Sequence, residues 1–562
     1  MKKKLATILT VILLIFFVLT AGLATMLVKR YMPSKDRMDE QEYFNIDNEN
    51  EAALVVNHVL QEQKILVLDG RYYVEDTVVG KYINSRFYWD DHQKVMMYTL
   101  PMEVFMIRPD VKEYITSEGK QVMDYVILKS YQDSYYLDLE FIQKFTDMDC
   151  NIYKDPARVV VNTDWSPAKV TVIRNPGHIR QKGGIKSLIV DDVDAGESVR
   201  VMEEMENWTK IATEDGYTGY IQNKYLSESK EVETERENQE LEYTNITRDH
   251  KINLAWHQVT SQSGNDTLEE MTADAAGLNT ISPTWFSVID NNGTISSLAS
   301  KEYVDRAHAM GMEVWGLIDN FNKDTDTLVF LSDTMIRGNI INQLLDEAAK
   351  TGMDGINLDF EGITEEQGPH YVQFIRELSI ACRKQGLVFS IDNPVPMPYT
   401  QHYNRKEQGI VADYVIVMGY DEHHVGDQEA GSVASLEFVK NGIIDTLKEV
   451  PAEKVINAIP FYTRLWKEPY GGGNITSEVL GMDGSAEYLK ENGIEAFWDE
   501  KSGQNVAYFE GEESIDSIWI EDEQSIAEKM KLIQEYKLAG VASWKLGFER
   551  ASIWDVISQY LE

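Results

Sequence analysis

The stretch Gly352-Met353-Asp354-Gly355-Ile356-Asn357-Leu358-Asp359-Phe360-Glu361-Gly362-Ile363 decides how the rest of the chain is read. Laid out as a β-strand, it puts Asn357, Asp359 and Glu361 on one face and Ile356, Leu358 and Phe360 on the other, because successive side chains alternate. The apolar face suits packing against covering helices. The other face aims two carboxyl groups and an amide inward, and an unpaired buried carboxylate costs several kcal/mol or shifts its pKa upward. A half-exposed strand with a polar outer face would show the same alternation. The flanking chain speaks against that, since it reads as repeated strand–helix units, whose strands are normally apolar on both faces. Carboxylates inside such a strand point to chemistry.

Outward from this stretch, strands are expected at Ile252–Trp256, Thr280–Val288, Glu313–Ile318, Gly355–Glu361, Leu387–Asp392, Tyr414–Tyr420, Val455–Pro460 and Gly540–Leu546. Helix-period segments lie between them, among them Ile336–Lys350, Tyr371–Lys384 and Ile526–Tyr536, the last entered through the capping-type run Glu521-Asp522-Glu523-Gln524-Ser525. Eight such units over residues 249–562 have the count and length of an α/β TIM barrel, (β/α)8. In that fold the chemistry sits at the C-terminal ends of the strands. Glu361 and Tyr420 are expected to end their strands, Asp421 follows at once, and Trp544 lies near the end of the last.

The chain has 562 residues, too many for one domain at about 150 residues each. After Met1 come three lysines and then an apolar run, 5–28, closed by Lys29 and Arg30. At 1.5 Å per helical residue this run crosses a bilayer core of about 30 Å. The basic cluster in front predicts an N-terminus inside and the remainder outside. A cleaved signal peptide is the competing reading, with Gly22 and Ala24 as small residues before a cut; the length of the run favours an uncleaved anchor. Fifty-three basic residues against 93 acidic ones give a formal charge of −40, which argues against binding nucleic acid, whose phosphates want a basic surface. The two cysteines, Cys150 and Cys382, fall in different expected domains, so both are read as unpaired and no cysteine zinc site can be built.

Residues 31–50 read as a juxtamembrane linker. Residues 51–163 show short alternating strands, such as Ile65–Leu68, Arg71–Val74 and Val122–Leu128, with the aromatic pieces Phe87-Tyr88-Trp89-Asp90 and Tyr136-Leu137-Asp138-Leu139. This mostly-β region resembles the N-terminal domain first described in copper amine oxidases; lacking a metal-ligand cluster, it is assigned a spacer or binding role. Residues 168–228 carry Val170–Ile173, Glu197–Val201, Trp208–Ile211 and Gly219–Ile221 between Gly, Asp and Asn turns, the pattern of a small all-β barrel. The run from Trp208 to Ile221 resembles bacterial SH3-type domains, which implies a cell-wall peptide as ligand. Trp208 and Tyr220 suit either a ligand face or core packing. Residues 229–248 form a Glu-rich linker.

Three motifs on the barrel strands resemble glycoside hydrolase family 18. Asp354-Gly355-Ile356-Asn357-Leu358-Asp359-Phe360-Glu361 is similar to its Asp-x-x-Asp-x-Asp-x-Glu signature, Met418-Gly419-Tyr420-Asp421 to its sixth-strand Met-x-Tyr-Asp, and Val541-Ala542-Ser543-Trp544 to its eighth-strand segment. The variant with Asn is familiar in bacterial spore-cortex and cell-wall N-acetylglucosaminidases. The resemblance implies Glu361 as the acid that protonates the leaving oxygen, and the substrate's own 2-acetamido oxygen as nucleophile. It implies Asp359 on the acetamido N–H, Tyr420 donating to the acetamido carbonyl, and Trp544 as an apolar floor under the pyranose. Asn357, Met418, Asp421 and Asp354 are carried over with the motifs. The family's middle aspartate is Asn357 here, so Asp359 is expected to lack an acidic neighbour and to accept a hydrogen bond from the amide instead, with an altered pH profile. No cofactor is implied. His423 and His424 lack a third ligand at metal spacing and read as a polar loop.

The sequence thus yields a membrane-anchored wall hydrolase acting on β-1,4 bonds at N-acetylglucosamine in peptidoglycan. Chitin is the alternative substrate, secretion the alternative location, and a non-catalytic glycan-binding barrel the alternative class. The retained Glu361 counts against the last.

Overall fold

The computed structural model describes residues 2–233, 241–511 and 513–561. The centre of the expected 229–248 linker, residues 234–240, lies outside the described residues. The chain divides into two compact units. One holds Met1–Phe87, Ile107–Tyr114 and Lys120–Glu240; the other holds Tyr88–Met106, Ile115–Gly119 and Leu241–Glu562.

The first unit begins with a helix over Lys2–Tyr31, apolar between its basic ends, with its long apolar side chains turned out; Phe17 is 72% exposed. Packing has no claim on those side chains, so length and composition alone make the helix fit to cross a bilayer. A short helix, Glu40–Phe44, follows, capped by Asp39 accepting from the amides of Gln41 and Glu42. Phe44 is fully buried among Val55, Val160, Ile179 and Tyr217. Part of the segment read as a linker is therefore docked, because one apolar side chain found a core.

That core is shared by two sheets of seven strands each. In the first, Glu51–Val56 lies between Ala157–Asn162, in parallel, and Val59–Leu68, antiparallel. The second is antiparallel throughout, with Trp208–Ala212 between Ser198–Glu204 and Thr218–Gln222, and is the all-β SH3-type region. The strand expected at Val122–Leu128 is not continuous. Gly119–Val122 and Leu128–Tyr131 are strands, with irregular chain between them.

The second unit is built on a closed parallel barrel. Its strands are Ile252–His257, Thr280–Pro283, Glu313–Asp319, Gly355–Asp359, Val388–Pro394, Tyr414–Met418, Val455–Pro460 and Gly540–Trp544. Each pairs in parallel with its neighbour, and the eighth pairs with both the seventh and the first. Leu254, Trp315, Leu317, Ile416, Ile456 and Ala542 fill the interior. Gly355 makes room there: a Cβ would stand 2.9 Å from the Trp315 ring and 2.7 Å from the Val388 carbonyl oxygen. The helix Thr334–Thr351 shows why the outer ring forms. Ile340, Ile341, Leu344 and Ala348 recur at three- and four-residue spacing and are buried, Asp333 caps its start, and Gly352 at φ +78° ends it.

Two features went unread in the sequence. Residues 88–106 belong with the barrel rather than with the chain before them. Arg337, fully buried on the Thr334–Thr351 helix, pairs with Glu377 through Nε and Nη2 at 2.9 Å and donates to the Tyr88 hydroxyl at 3.2 Å. Asp90 accepts from the Thr334 amide at 2.7 Å. The expected 51–163 domain therefore takes in residues that pack on the barrel's outer helices. The second feature is an insertion between the seventh and eighth strands. Tyr462–Pro469, Thr476–Gly481, Phe497–Asp499, Gln504–Glu510 and Ser514–Ile520 form a five-stranded antiparallel sheet. Leu465, Ala507, Ile518 and Ile520 form its core, with Tyr488 and Leu489 of the helix Met482–Asn492 packed against them. At its root the carboxylate of Glu521 meets the Lys529 ammonium at 2.9 Å, both fully buried.

Candidate active site

The C-terminal end of the barrel opens into a cavity of about 470 Å³ whose walls include Asp359, Glu361, Met418, Tyr420, Asp421 and Trp544. They are delivered by three short pieces of backbone, at the ends of the fourth, sixth and eighth strands. The fourth strand ends at Asp359, two residues short of the expected end, so Glu361 sits in the loop beyond it. The Asn320 side chain replaces the missing ladder, accepting from the Glu361 amide and donating to the Glu361 carbonyl, both at 2.9 Å. The sixth strand likewise ends at Met418, which puts Tyr420 beyond it. Gly419 allows the tight exit, since a Cβ there would lie 2.8 Å from the Ala458 carbonyl oxygen. Asp421 takes a left-handed φ of +58°, and its carboxylate accepts from the Tyr462 hydroxyl at 2.5 Å.

Below the cavity floor the side chain of Asn357 is hydrogen-bonded at both ends. Asn357 Oδ1 accepts from Trp256 Nε1 at 2.9 Å and from Ser282 Oγ at 3.1 Å. Its Nδ2 donates to Ser390 Oγ at 3.0 Å and to Asp392 Oδ1 at 2.8 Å. The amide was expected to serve Asp359 and instead serves Asp392, because the fifth strand brings an acceptor within its reach. The acidic neighbour that Asp359 was expected to lack is supplied by the same residue. Asp392 sits near the end of an apolar strand, and the signal that would have found it is a carboxylate at the C-terminal end of a barrel strand.

Electrostatics follow from this crowding. Burial, then the charges of Asp392, Glu361 and Asp319, push Asp359 well above the usual carboxylate range. Burial also raises Asp392, against the Asn357 hydrogen bond, with Glu361 adding to the rise. Glu361 opens toward solvent at the rim, yet partial burial and the nearby Asp421 and Asp319 raise it too, the direction an acid needs to keep its proton near neutral pH. Burial raises Asp319, although the Ser287 hydroxyl and the Phe321 amide both donate to it. The Trp544 ring packs 5.8 Å from that of Trp256, and the Tyr420 ring 6.3 Å from that of Tyr462.

Asp354 is not brought to this cavity. It precedes the fourth strand at the opposite end, where its carboxylate accepts from the Val314 amide and faces His308, both at 2.8 Å. Five residues at about 3.3 Å each separate it from the chemistry. His424 lines the cavity, and its imidazole meets Asp427 at 2.8 Å. A larger concavity of about 680 Å³ shares Val395, Met397, Glu422 and Phe438 with this one but contains neither Asp359 nor Glu361. It runs between the helix Leu436–Thr446 and the inserted sheet, where Tyr508 and Trp519 stand 5.6 Å apart. Asp359 and Glu361 line the smaller space.

Residues 322–549 match the model for glycosyl hydrolases family 18, and residues 177–227 match that for the bacterial SH3 domain. An uncharacterized glycosylase of Bacillus subtilis (strain 168) is 29% identical over 281 residues, covering 48% of this chain and 80% of that protein. The cortical fragment-lytic enzyme of the same organism is 25% identical over 237 residues, 41% of this chain and 55% of the enzyme. The chain thus spans about half the length of the second relative. The crystal structure of the spore cortex-lytic enzyme of Bacillus cereus superposes with a TM-score of 0.51 at 21% identity, covering 59% of this chain and 79% of that one, a likeness of fold.

Proposed function

Because this chain carries a family 18 glycosyl hydrolase domain beside a bacterial SH3 domain, we propose that it is a glycosidase that cleaves β-1,4 bonds at N-acetylglucosamine in peptidoglycan. The observation that carries this reading is the gathering of Asp359, Glu361, Tyr420 and Trp544, from three separate strand ends, around one cavity. The sugar's apolar face lies on Trp544. Glu361 gives its proton to the glycosidic oxygen as the C1–O bond breaks, and the acetamido oxygen closes on C1 to give an oxazolinium. Asp359 accepts from the acetamido N–H, and Tyr420 donates to the acetamido carbonyl. Water then opens the intermediate with Glu361 as base, so configuration is retained. Asn357 holds Trp256 and Asp392 in place beneath the sugar and touches no substrate.

The adjoining concavity, with Tyr508 and Trp519 on its wall, favours a polymer over a single sugar. The apolar helix Lys2–Tyr31 serves as a membrane anchor that holds the catalytic unit outside, against the wall. Those of residues 51–163 that do not belong with the barrel act as a spacer, and the SH3 domain engages wall peptide.

The test is to incubate the whole chain with purified peptidoglycan and with chitin, then identify the sugar at each new reducing end. N-acetylglucosamine ends from peptidoglycan are expected. Release from chitin alone makes chitin the substrate, and no release from either removes the glycosidase reading. Fractionation addresses the anchor: recovery of the bulk of the protein in the medium, with a new N-terminus near Ala24, would mean secretion.

A further inference from the structure

Three aspartates lie side by side across the third, fourth and fifth barrel strands. Asp319 pairs in register with Asp359. Leu358 pairs with Ile391, which puts Asp359 and Asp392 opposite each other at the next level of the ladder. Neighbouring strands run about 4.8 Å apart. Both side chains point into the barrel, as do Asn357 and Ser390 one pleat below, which pair in register and touch at 3.0 Å. Asp359 is 6% exposed and Asp392 is 1% exposed. Asp392 Oδ1 is occupied by the Asn357 amide, while Asp359 Oδ1 has no hydrogen-bond partner among the described residues.

The other ionisable groups facing this pair are Asp319 on the third strand, Glu361 in the loop, and the hydroxyls of Tyr371, Tyr403 and Tyr420. Arg405 also faces the tyrosines, but its guanidinium donates to the carbonyls of Pro394 and Thr400. None of these groups neutralises two adjacent buried carboxylates. Two such groups do not both ionise in a site of low dielectric, so one proton stays between them.

We propose that Asp392 is the positioning residue that shares one proton with Asp359 and takes it up when the substrate's acetamido N–H arrives. The O–H bond at Asp359 breaks and one at Asp392 forms, no electron changes hands, and Glu361 keeps its own proton for the leaving oxygen. Asp359 then meets the N–H as a carboxylate, the form that accepts. Asn357 fixes which Asp392 oxygen is left for the proton by occupying the other. In this chain the partner of Asp359 has moved from the fourth strand to the fifth, where the Asn357 amide can orient it. This inference rests on the glycosidase reading and names the group that prepares its site.

The experiment uses the full chain acting on an N-acetylglucosamine oligosaccharide. Asp392→Asn should lower kcat about tenfold or more, with KM within about threefold. The acid limb of its kcat/KM profile should move to lower pH, because Asp359 loses the like-charged neighbour that raises it. Adding Asn357→Asp restores a carboxyl beside Asp359 and should return both the turnover and the acid limb toward wild type. Wild-type turnover in Asp392→Asn, an unmoved profile, or no recovery in the double variant would each overturn the proposal, since a merely structural aspartate predicts no profile shift and no rescue. A ¹³C-carboxyl titration of the wild type supplies a readout free of activity and of variant folding. Two steps more than about one pH unit apart support the shared proton, and ordinary titration of both groups near pH 4 overturns it. If the wild type cleaves no such glycan, the glycosidase reading has failed, and the titration still decides the pair.

Discussion

Replacing Glu361 with glutamine removes one ionisable proton and little else. The side chain keeps its length, and the contacts that hold residue 361 in place run from its backbone to Asn320, so the substitution leaves them intact. What is lost is the carboxyl proton, whose release partial burial, Asp421 and Asp319 together disfavour. General acid catalysis is worth about 10²–10⁴-fold, or about 2.7–5.5 kcal/mol of barrier at about 1.36 kcal/mol per factor of ten. The upper half of that range is expected, because the other carboxyls of the cavity are placed or engaged elsewhere: Asp359 and Asp392 lie deeper, Asp421 is tied to Tyr462, and Glu422 accepts from the amide and hydroxyl of Ser435. The assay is turnover of the whole chain on N-acetylglucosamine oligosaccharides, with thermal unfolding as a check that the barrel is intact. Retention of more than about a tenth of wild-type turnover in a folded variant would refute the assignment of the acid.

Two further outcomes concern stability. Glu521→Ala leaves the Lys529 ammonium buried without its partner at the root of the inserted sheet and should cost about 3–5 kcal/mol, read from denaturant unfolding; a loss under about 1 kcal/mol would mean that water reaches the lysine. Asp359 and Asp392 have folded pKa values above their unfolded ones, so their contribution is fully present in acid and is lost as pH rises through the folded values. Asp359→Asn should therefore unfold at a higher temperature than wild type near pH 7, with the gap closing toward pH 4; a gap independent of pH would contradict the raised pair.

The eight barrel strands were legible because parallel strands covered on both sides are short apolar runs bounded by breaks, and the helices because their apolar residues recur at three and four. Strand ends were read too long at Glu361 and Tyr420. At Glu361 the backbone leaves the ladder for a side-chain amide, and periodicity carries no record of that exchange. The second strand was expected as one piece over Thr280–Val288 and is broken after Pro283, where the chain resumes as Phe286–Val288 against the third strand. Asp354 belongs to the motif by spacing alone, because it precedes the strand that Asp359 ends and so lies at the opposite end of the barrel. Asp392 was passed over for the converse reason: a single aspartate closing an apolar run reads as a strand end, and only the register across two strands shows what it faces. The packing of residues 88–106 on the barrel was hidden because Arg337 reads as a solvated helix residue until Tyr88 and Glu377 are brought to it. An active fragment therefore has to retain those residues, and one beginning at 249 would uncover a buried guanidinium.

Substrate assistance separates this mechanism from every two-carboxylate glycosidase, and turnover of one glycan in its N-acetylated and de-N-acetylated forms by the whole chain distinguishes the two. With the acetamido oxygen as nucleophile, the N-acetylated form is cleaved and the de-N-acetylated form is left intact however well it binds. Equal rates on the two would place the attack on a protein carboxylate and contradict the account.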